Sequence, residues 1–403
     1  MRIDKSTWKI YKFGDIALNL KATVKDPSLE GFERYVGLEH IVPGNIHIKS
    51  WGKISDGTTF TRVFRKGQVL FGKRRAYQKK AAIAEFDGVC SGDILVFKAN
   101  KEYVSSELLP FIVQSDKFFD YAVKTSAGSL SPRTKYKDLA RLKFKLPPLD
   151  EQKCLADLLW NIDKVIETEL DLLLKLKKFE KVKMNELLNG KHLSVYHNKI
   201  PIGWVEKKLS QLGTVSTSSV DKKIKKGEKI VNLINYMDIY KSKDKKIINS
   251  LKFMQVSAND SQLIKNQIKK GDVLFTPSSE TSDDIGHSAV IYEEMPRTLY
   301  SYHLVRLRFN EKDDLDLNYK RFVFNNPRIM WNFSVRSKGI TRMTLSLDDF
   351  NETKIWIPPK DEQRRISEIL SKIIKEKIII TSQIINSKNI QKQIINQIFG
   401  GKS

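Results

Sequence analysis

Pro147-Pro148-Leu149-Asp150-Glu151-Gln152 recurs 211 positions later as Pro358-Pro359-Lys360-Asp361-Glu362-Gln363. The same offset sets Ser126, Gly128 and Ser131 over Ser337, Gly339 and Arg342, and Gly190-Lys191 over Gly401-Lys402. Further upstream the offset drifts, as loop insertions make it. Lys66-Gly67-Gln68-Val69-Leu70-Phe71 matches Lys270-Gly271-Asp272-Val273-Leu274-Phe275, and Trp8 and Phe13 match Trp204 and Leu209. Matches in one order along both halves make the chain an internal repeat. A repeated chain of 403 residues builds two similar units rather than one core.

Each copy has two parts. The first reads as mixed strands and helices. Residues 41–48, 68–72 and 93–99 carry strand composition, as do 272–276, 287–292 and 304–309. Residues 105–124 and 317–336 place apolar side chains at helical spacing and read as one helix each. The second part is a long helix. Pro-Pro cannot lie inside it, and Asp150 and Asp361 stand where a cap is needed, with Glu and Gln in the first turn. Leu155, Leu159, Ile162, Ile166, Leu170, Leu173 and Leu176 then fall at three- and four-residue steps. Ile366, Leu370, Ile373, Ile380, Ile384, Ile394 and Ile398 do the same, which is a heptad seam. Both helices are expected to stop at Gly-Lys, after roughly 35–40 residues and 50–60 Å. Two such stripes in one chain are buried most cheaply against each other, antiparallel. Pairing with a second copy of the chain is the alternative.

The expected fold is therefore α+β: two similar mixed domains, 1–149 and 192–359, separated by two long coiled-coil-like helices, 150–191 and 360–403, with pseudo-two-fold symmetry. Such a rod holding two domains would act as a ruler, and DNA offers sites at set distances. Composition agrees. The net charge is +24, and a protein on a polyanion gains affinity by releasing counterions, although a Lys-rich solvated surface gives the same number. Hydrophobic residues at 40% exclude a disordered chain. The two cysteines, Cys90 and Cys154, sit in no CxxC or Cys/His cluster, which argues against zinc and against a disulfide framework. The first residues lack an apolar signal region and no apolar run could span a membrane, so a cytoplasmic location is expected.

With these features in place, the chain resembles the specificity (S) subunit of type I restriction-modification systems. The residues that carry the resemblance are 66–77, Asp87-Gly88-Val89-Cys90-Ser91-Gly92-Asp93 and the two Pro-Pro-x-Asp-Glu-Gln helix starts. It extends over essentially the whole chain. It implies that each mixed domain is a target-recognition domain for one half of a split, asymmetric double-stranded DNA site. It also implies two methyltransferase subunits as partners, with restriction/motor subunits in the full complex. The resemblance gives this chain no cofactor; the methyltransferase would use S-adenosylmethionine and the motor ATP and Mg.

The densest basic cluster lies at 72–80. Its candidate DNA contacts are Lys73, Arg74, Arg75, Tyr77, Gln78, Lys79 and Lys80, because Arg can pair with guanine, Gln with adenine, and Lys with phosphate. The counterpart at 276–284 is polar and acidic; Ser278, Ser279 and Thr281 are its candidates. Divergence at one position suits base readout better than phosphate binding. A second candidate recurs in both halves: Lys124, Ser126, Ser129, Arg133 and Lys135 against Arg336, Lys338, Thr341 and Arg342. Short polar residues, a Gly and cations suit phosphate contact, whereas a basic helix-to-strand turn would look alike. Lys222, Lys223, Lys225 and Lys226 read as an exposed loop. Trp8, Trp51, Trp204, Trp331 and Trp356 read as core, and the scattered histidines, His40 and His47 among them, as structural or surface residues.

Enzyme signatures fail. Asn326-Pro327-Arg328 lacks the second Pro of an adenine methyltransferase. Gly401-Lys402-Ser403 lacks the first Gly of a phosphate loop and a following helix. Glu151-Gln152-Lys153 opens a helix instead of ending a nuclease motif. A non-catalytic recognition subunit is the expectation. A stand-alone architectural or regulatory DNA-binding protein, and an RNA-binding factor, are the alternatives.

Overall fold

The computed structural model describes residues 4–190, 200–249, 251–311 and 315–400. The chain divides into two compact units, residues 1–170 with 383–403, and residues 171–382.

In the first unit the central sheet has four antiparallel strands in the order Ala17–Leu20, Ile94–Ala99, Val69–Gly72, Ala81–Ile83. A second sheet orders Gly52–Lys53, Arg34–Val36, Gly88–Cys90 and Arg62–Phe64, with the middle pair parallel. A short ladder joins Lys9–Lys12 to Lys143–Leu146, just before the long helix Leu149–Leu188. The second unit repeats this plan. Its five-stranded sheet runs Gly213–Thr217, Val305–Phe309, Val273–Phe275, Ser288–Ile291, Lys246–Ile247. Its smaller sheet again holds a parallel pair, Lys229–Ile234 with Thr298–Tyr300. Val205–Lys208 pairs with Lys354–Ile357 before the second long helix, Lys360–Phe399.

The cores repeat as well. Phe13, Phe71, Phe97, Phe118 and Phe144 pack edge-on, tilted or, for Phe71 and Phe97, stacked in the first unit, and Leu155, Leu159, Ile398 and Phe399 of the long helices close over them. In the second unit Phe275, Phe324, Phe333 and Phe350 take that place, closed by Ile366, Leu370, Leu187 and Leu188. Within the first unit the two long helices run antiparallel: Glu169 accepts from the Ser387 hydroxyl at 3.3 Å, and Asp163 from Gln391 Nε2 at 3.4 Å. In the second unit Lys377 pairs with Glu180. Both helices are 40 residues long, in line with the seam.

The twin Asp-Glu-Gln motif fastens each helix to its domain. Gln152 and Gln363 are each 1% exposed. Gln152 Nε2 donates to Pro147 O and Tyr103 O, both at 2.9 Å, while its Oε1 accepts from the Ser105 amide at 3.0 Å. Gln363 repeats this with Pro358 O at 2.9 Å and the Asp316 amide at 2.7 Å. One residue earlier, Glu151 accepts from the Trp8 indole at 3.2 Å and Glu362 from the Trp204 indole at 3.0 Å. The aligned Trp and Asp-Glu-Gln motifs are thus one device built twice.

Several sequence expectations are corrected. Residues 41–48 form no strand. Pro43 and Gly44 turn the chain, the Asn45 amide donating to Val42 O at 3.1 Å, with Gly44 at φ 72°. Each helix expected at 105–124 and 317–336 is two. Ser115, extended, caps Asp116–Lys124 by accepting from the Phe118 amide, and Asn326 caps Pro327–Arg336. The long helices begin at Leu149 and Lys360, so Asp150 and Asp361 lie in the first turn, not at the cap. Pro148 O and Pro359 O accept the first helical bonds. Trp51 (41% exposed) and Trp331 (64%) are surface residues; Trp8, Trp204 and Trp356 are core. Gly190 is left-handed at φ 64°, as a helix stop requires. Lys191 and residues 401–403 lie outside the described residues.

Candidate nucleic-acid interface

In the first unit the central strand Val69–Gly72 runs straight into the basic loop. The Gly72 amide donates to Lys80 O at 2.9 Å and closes that loop. Arg75 and Lys79 sit at φ 53° and 52°, so the turn is tight. The loop then docks on a small hairpin at 127–133. The Thr134 amide donates to Lys73 O at 3.0 Å, the Arg75 amide donates to Pro132 O at 2.7 Å, and Arg74 bridges Arg133. Folding thus brings together the two basic stretches that the sequence singled out separately.

The second unit builds the same joint. The Leu345 amide donates to Pro277 O at 2.8 Å, as Thr134 does to Lys73. Ser278 pairs with Thr344 as Arg74 pairs with Arg133. The hairpins agree to the residue: Ala127 bridges Arg133 and Lys338 bridges Thr344. The backbone joint is conserved between the two halves and the side chains on it differ.

Those side chains divide by what holds them. Asp93 accepts from Arg133 Nε at 2.8 Å and lies 3.4 Å from Arg74. The Arg133 hydrogen bond, foremost, holds the Asp93 carboxyl below the usual carboxylate range despite partial burial. Lys79 pairs with Asp116 at 2.7 Å, and Lys80 donates to Leu38 O at 2.6 Å. These two lysines are tethers within the domain, while Tyr77 stands exposed and Arg75 and Gln78 are half-buried. Ser126 donates back to Ala122 O at 2.7 Å, whereas Lys124, Ser129 and Lys135 are exposed.

Beside the joint lies a groove of about 460 Å³. Lys21, Arg62, Lys73, Arg133, Lys135 and Lys137 line it with Tyr136 and Asn19. The charged side chains lining it are all cationic, with Arg133 held by Asp93, and such a lining suits anions. Burial foremost, and then Arg62, press the Lys73 pKa below its ordinary value. Lys21, Arg62 and Lys137 were missed from sequence because they come from three separate segments; no local cluster marks them.

In the second unit Ser278 is half-buried, with its carbonyl held by Tyr236 Oη at 2.9 Å, and Ser279 is buried. Thr281 is exposed. Asp284 accepts from Tyr240 Oη at 2.8 Å and lies 2.7 Å from His287 Nε2, so part of the acidic loop is engaged within the domain. Lys338, Thr341 and Arg342 are exposed around the hairpin and Arg336 is half-buried at its base. Lys222, Lys223, Lys225 and Lys226 are exposed, as expected. Asn326 accepts from the Arg328 amide at 3.0 Å and donates to Leu188 O at 3.2 Å, so the near-match to a methyltransferase motif is a helix cap. Among the described residues no group of His, Cys, Asp or Glu could hold a metal, and no helix is long and apolar enough to cross a membrane.

Known proteins match this arrangement. The family model of the type I restriction modification DNA specificity domain fits twice, over residues 5–178 and 201–387. The specificity subunit of the type I restriction enzyme EcoDI of Escherichia coli is 30% identical over 156 residues, 36% of this chain and 33% of that protein. The MjaVIII specificity subunit of Methanocaldococcus jannaschii is 25% identical over 191 residues, 42% of this chain and 40% of that protein. The chain therefore spans between a third and two fifths of the length of these relatives. In fold it is similar to a chain of a solved type I R-M system, with TM-score 0.61, 17% identity and 98% of both chains covered. It is also similar to the type I restriction-modification S subunit of M. genitalium, with TM-score 0.58, 12% identity and 100% and 99% covered. At such identities the likeness is one of fold. The twin match covers most of the sequence, and the chain belongs to the type I restriction modification DNA specificity domain family.

Proposed function

We propose that this chain is the DNA sequence-specificity subunit of a type I restriction-modification complex. It binds a split, asymmetric site, with one half contacted by residues 1–149 and the other by residues 192–359. It directs adenine-methyltransferase and restriction subunits to that site in the cytoplasm. The chain supplies recognition and no chemistry; S-adenosylmethionine belongs to the methyltransferase partners, and ATP and Mg to the motor.

The observation that carries this reading is the joint built twice from the same backbone hydrogen bonds and faced with different side chains, Arg74 and Arg133 in one unit, Ser278 and Thr344 in the other. Guanidinium groups address guanine and phosphate; hydroxyls address other edges. A protein needing identical contacts in both halves has no reason to diverge there. The basic trough of the first unit supports contact with a polyanion. The names of the family and of the relatives support the partners.

The test is co-expression with the adenine methyltransferase of the same system in a methylation-free host, followed by a genome-wide map of methyladenine. The expected result is a split motif with a fixed gap that disappears without this chain. Replacing residues 1–146 by a homologous domain should then change one half of the motif alone. A folded methyltransferase that marks nothing in the presence of this chain would overturn the assignment in favour of a stand-alone DNA binder.

A further inference from the structure

The two hairpins share a feature that base readout and phosphate binding leave unused. At the tip of the first, Leu130 is 90% exposed; at the tip of the second, Ile340, one register position earlier, is 104% exposed. Aliphatic side chains offer no hydrogen bond to a base edge or a phosphate. Both tips are presented rigidly. Ala127 and Arg133 exchange amide-to-carbonyl bonds at 3.1 and 2.9 Å, and Lys338 and Thr344 do so at 3.0 and 2.9 Å. Gly128 at φ 114° and Gly339 at φ 145° take the left-handed turn into each tip. The base of each hairpin is fastened to the central sheet through the Lys73 and Pro277 carbonyls.

The charge around the tips names the occupant. Lys124, Arg133 and Lys135 are exposed within six residues of Leu130 along the chain, and Lys338 and Arg342 within two of Ile340. An apolar side chain on a hairpin that also carries cations fits a surface that is anionic outside and apolar within. A DNA duplex has that cross-section, with phosphates flanking stacked bases, and Leu and Ile are among the side chains that enter opened base steps.

Resting on the DNA-binding reading above, we propose that Leu130 and Ile340 are apolar wedges, each inserting between adjacent base pairs of its own half-site. Each unit then selects its half-site partly by how easily one step opens. Flexible pyrimidine–purine steps are favoured at the wedge although no side chain hydrogen-bonds to them.

The experiment uses the full-length chain and a duplex carrying its mapped site, labelled at both ends for energy transfer. In a second series 2-aminopurine replaces each adenine in turn. The wild-type chain should bend the duplex and raise 2-aminopurine fluorescence several-fold beside one step in each half. Leu130→Ser should abolish the local rise in the first half only, Ile340→Ser in the second only, and Leu130→Met should retain it. Each serine variant should also reduce the bend. Both tips face solvent, so these substitutions leave the fold intact. Tight binding with the same bend and fluorescence in wild type and both serine variants overturns the wedges and leaves the specificity role standing. A tip that instead serves a protein contact gives that same unchanged DNA signal together with weakened methyltransferase association. A chain that does not bind the mapped site at all overturns both proposals.

Discussion

Asp163 of the first long helix meets the imidazole of His47 at 2.6 Å, and Glu85 approaches the other ring nitrogen at the same distance. Both nitrogens must carry protons to serve two carboxylates. The hydrogen bond to Asp163 is the largest influence, and against the opposing effect of burial the His47 pKa is pushed up to about 9. Next to it Lys49 pairs with Glu167 of the same helix. The turn at 41–48 is thus pinned to the helix by charge.

The raised pKa makes that pin pH-dependent. A group with a folded pKa near 9 and an unfolded pKa near 6.5 contributes fully below about pH 6.5 and loses its contribution as pH rises through 9. The side chain is mostly buried, so the contribution is on the order of 2–3 kcal/mol. The expected outcome is that wild type exceeds His47→Gln in unfolding midpoint at pH 6, with the gap closing by pH 10. Two parallel pH curves would show that the imidazole titrates alike in the folded and unfolded chain.

Gln152 is the better-hidden anchor. Replacing it by Leu keeps the volume but strands the Ser105 amide and frees the Tyr103 and Pro147 carbonyls in a buried place. The expected loss is roughly 2–4 kcal/mol, because unsatisfied buried groups carry their full desolvation cost. Gln152→Glu retains the acceptor and loses both donors, so it should also destabilise. Denaturant titration checks this, and a loss below about 0.5 kcal/mol would mean that water substitutes freely there.

The groove cations make a separable prediction about salt. Lys135 and Lys137 are exposed on its rim. If each holds one phosphate, Lys135→Gln and Lys137→Gln should each flatten the plot of log affinity against log salt by about 0.9. Lys80→Gln should leave the slope alone, since its ammonium is spent on Leu38 O inside the domain. Binding measured from low to moderate salt distinguishes them. An equal change for Lys80 would place that ammonium on DNA instead.

Much of the fold was legible because repeated, long or strongly patterned segments announce themselves. The twin Pro-Pro-x-Asp-Glu-Gln starts, the strands around Val69 and Val273 and the two 40-residue helices all follow local rules. What stayed hidden depends on non-local partners. Residues 41–48 read as a strand by composition, but Pro43-Gly44 turns them, and all that is left of a ladder is a single parallel bridge from His47 to Ile83. The breaks at Ser115 and Asn326 are single caps inside otherwise helical spacing, where a tertiary need overrides the period. The site divides the same way. The basic stretches at 73–80 and 124–135 stood out by composition. Their junction through Arg74 and Arg133, the intradomain bonds of Lys79 and Lys80 and the place of Lys21 and Arg62 in the groove needed the fold.

The hairpin glycines give an asymmetric prediction about the second unit. Gly339 has φ 145°, and a Cβ there would lie 2.0 Å from Arg342 O, which is backbone and cannot step aside. Gly128 at φ 114° has nothing closer than 3.6 Å. Gly339→Ala must therefore open the Lys338–Thr344 bridge and move Lys338, Ile340, Thr341 and Arg342 together. Gly128→Ala meets no such clash and carries only the strain of its positive φ, about 1–3 kcal/mol. Because the hairpin is an exposed tip, neither change should greatly shift the thermal midpoint. The expected outcome for Gly339→Ala is a loss of discrimination confined to the half-site of residues 192–359, read as methylation of sequences that match only the other half. Gly128→Ala should produce a milder loss in the first half. If Gly339→Ala leaves the methylated motif unchanged in both halves, the hairpin does not read DNA, and recognition in that unit must rest on the loop at 276–284.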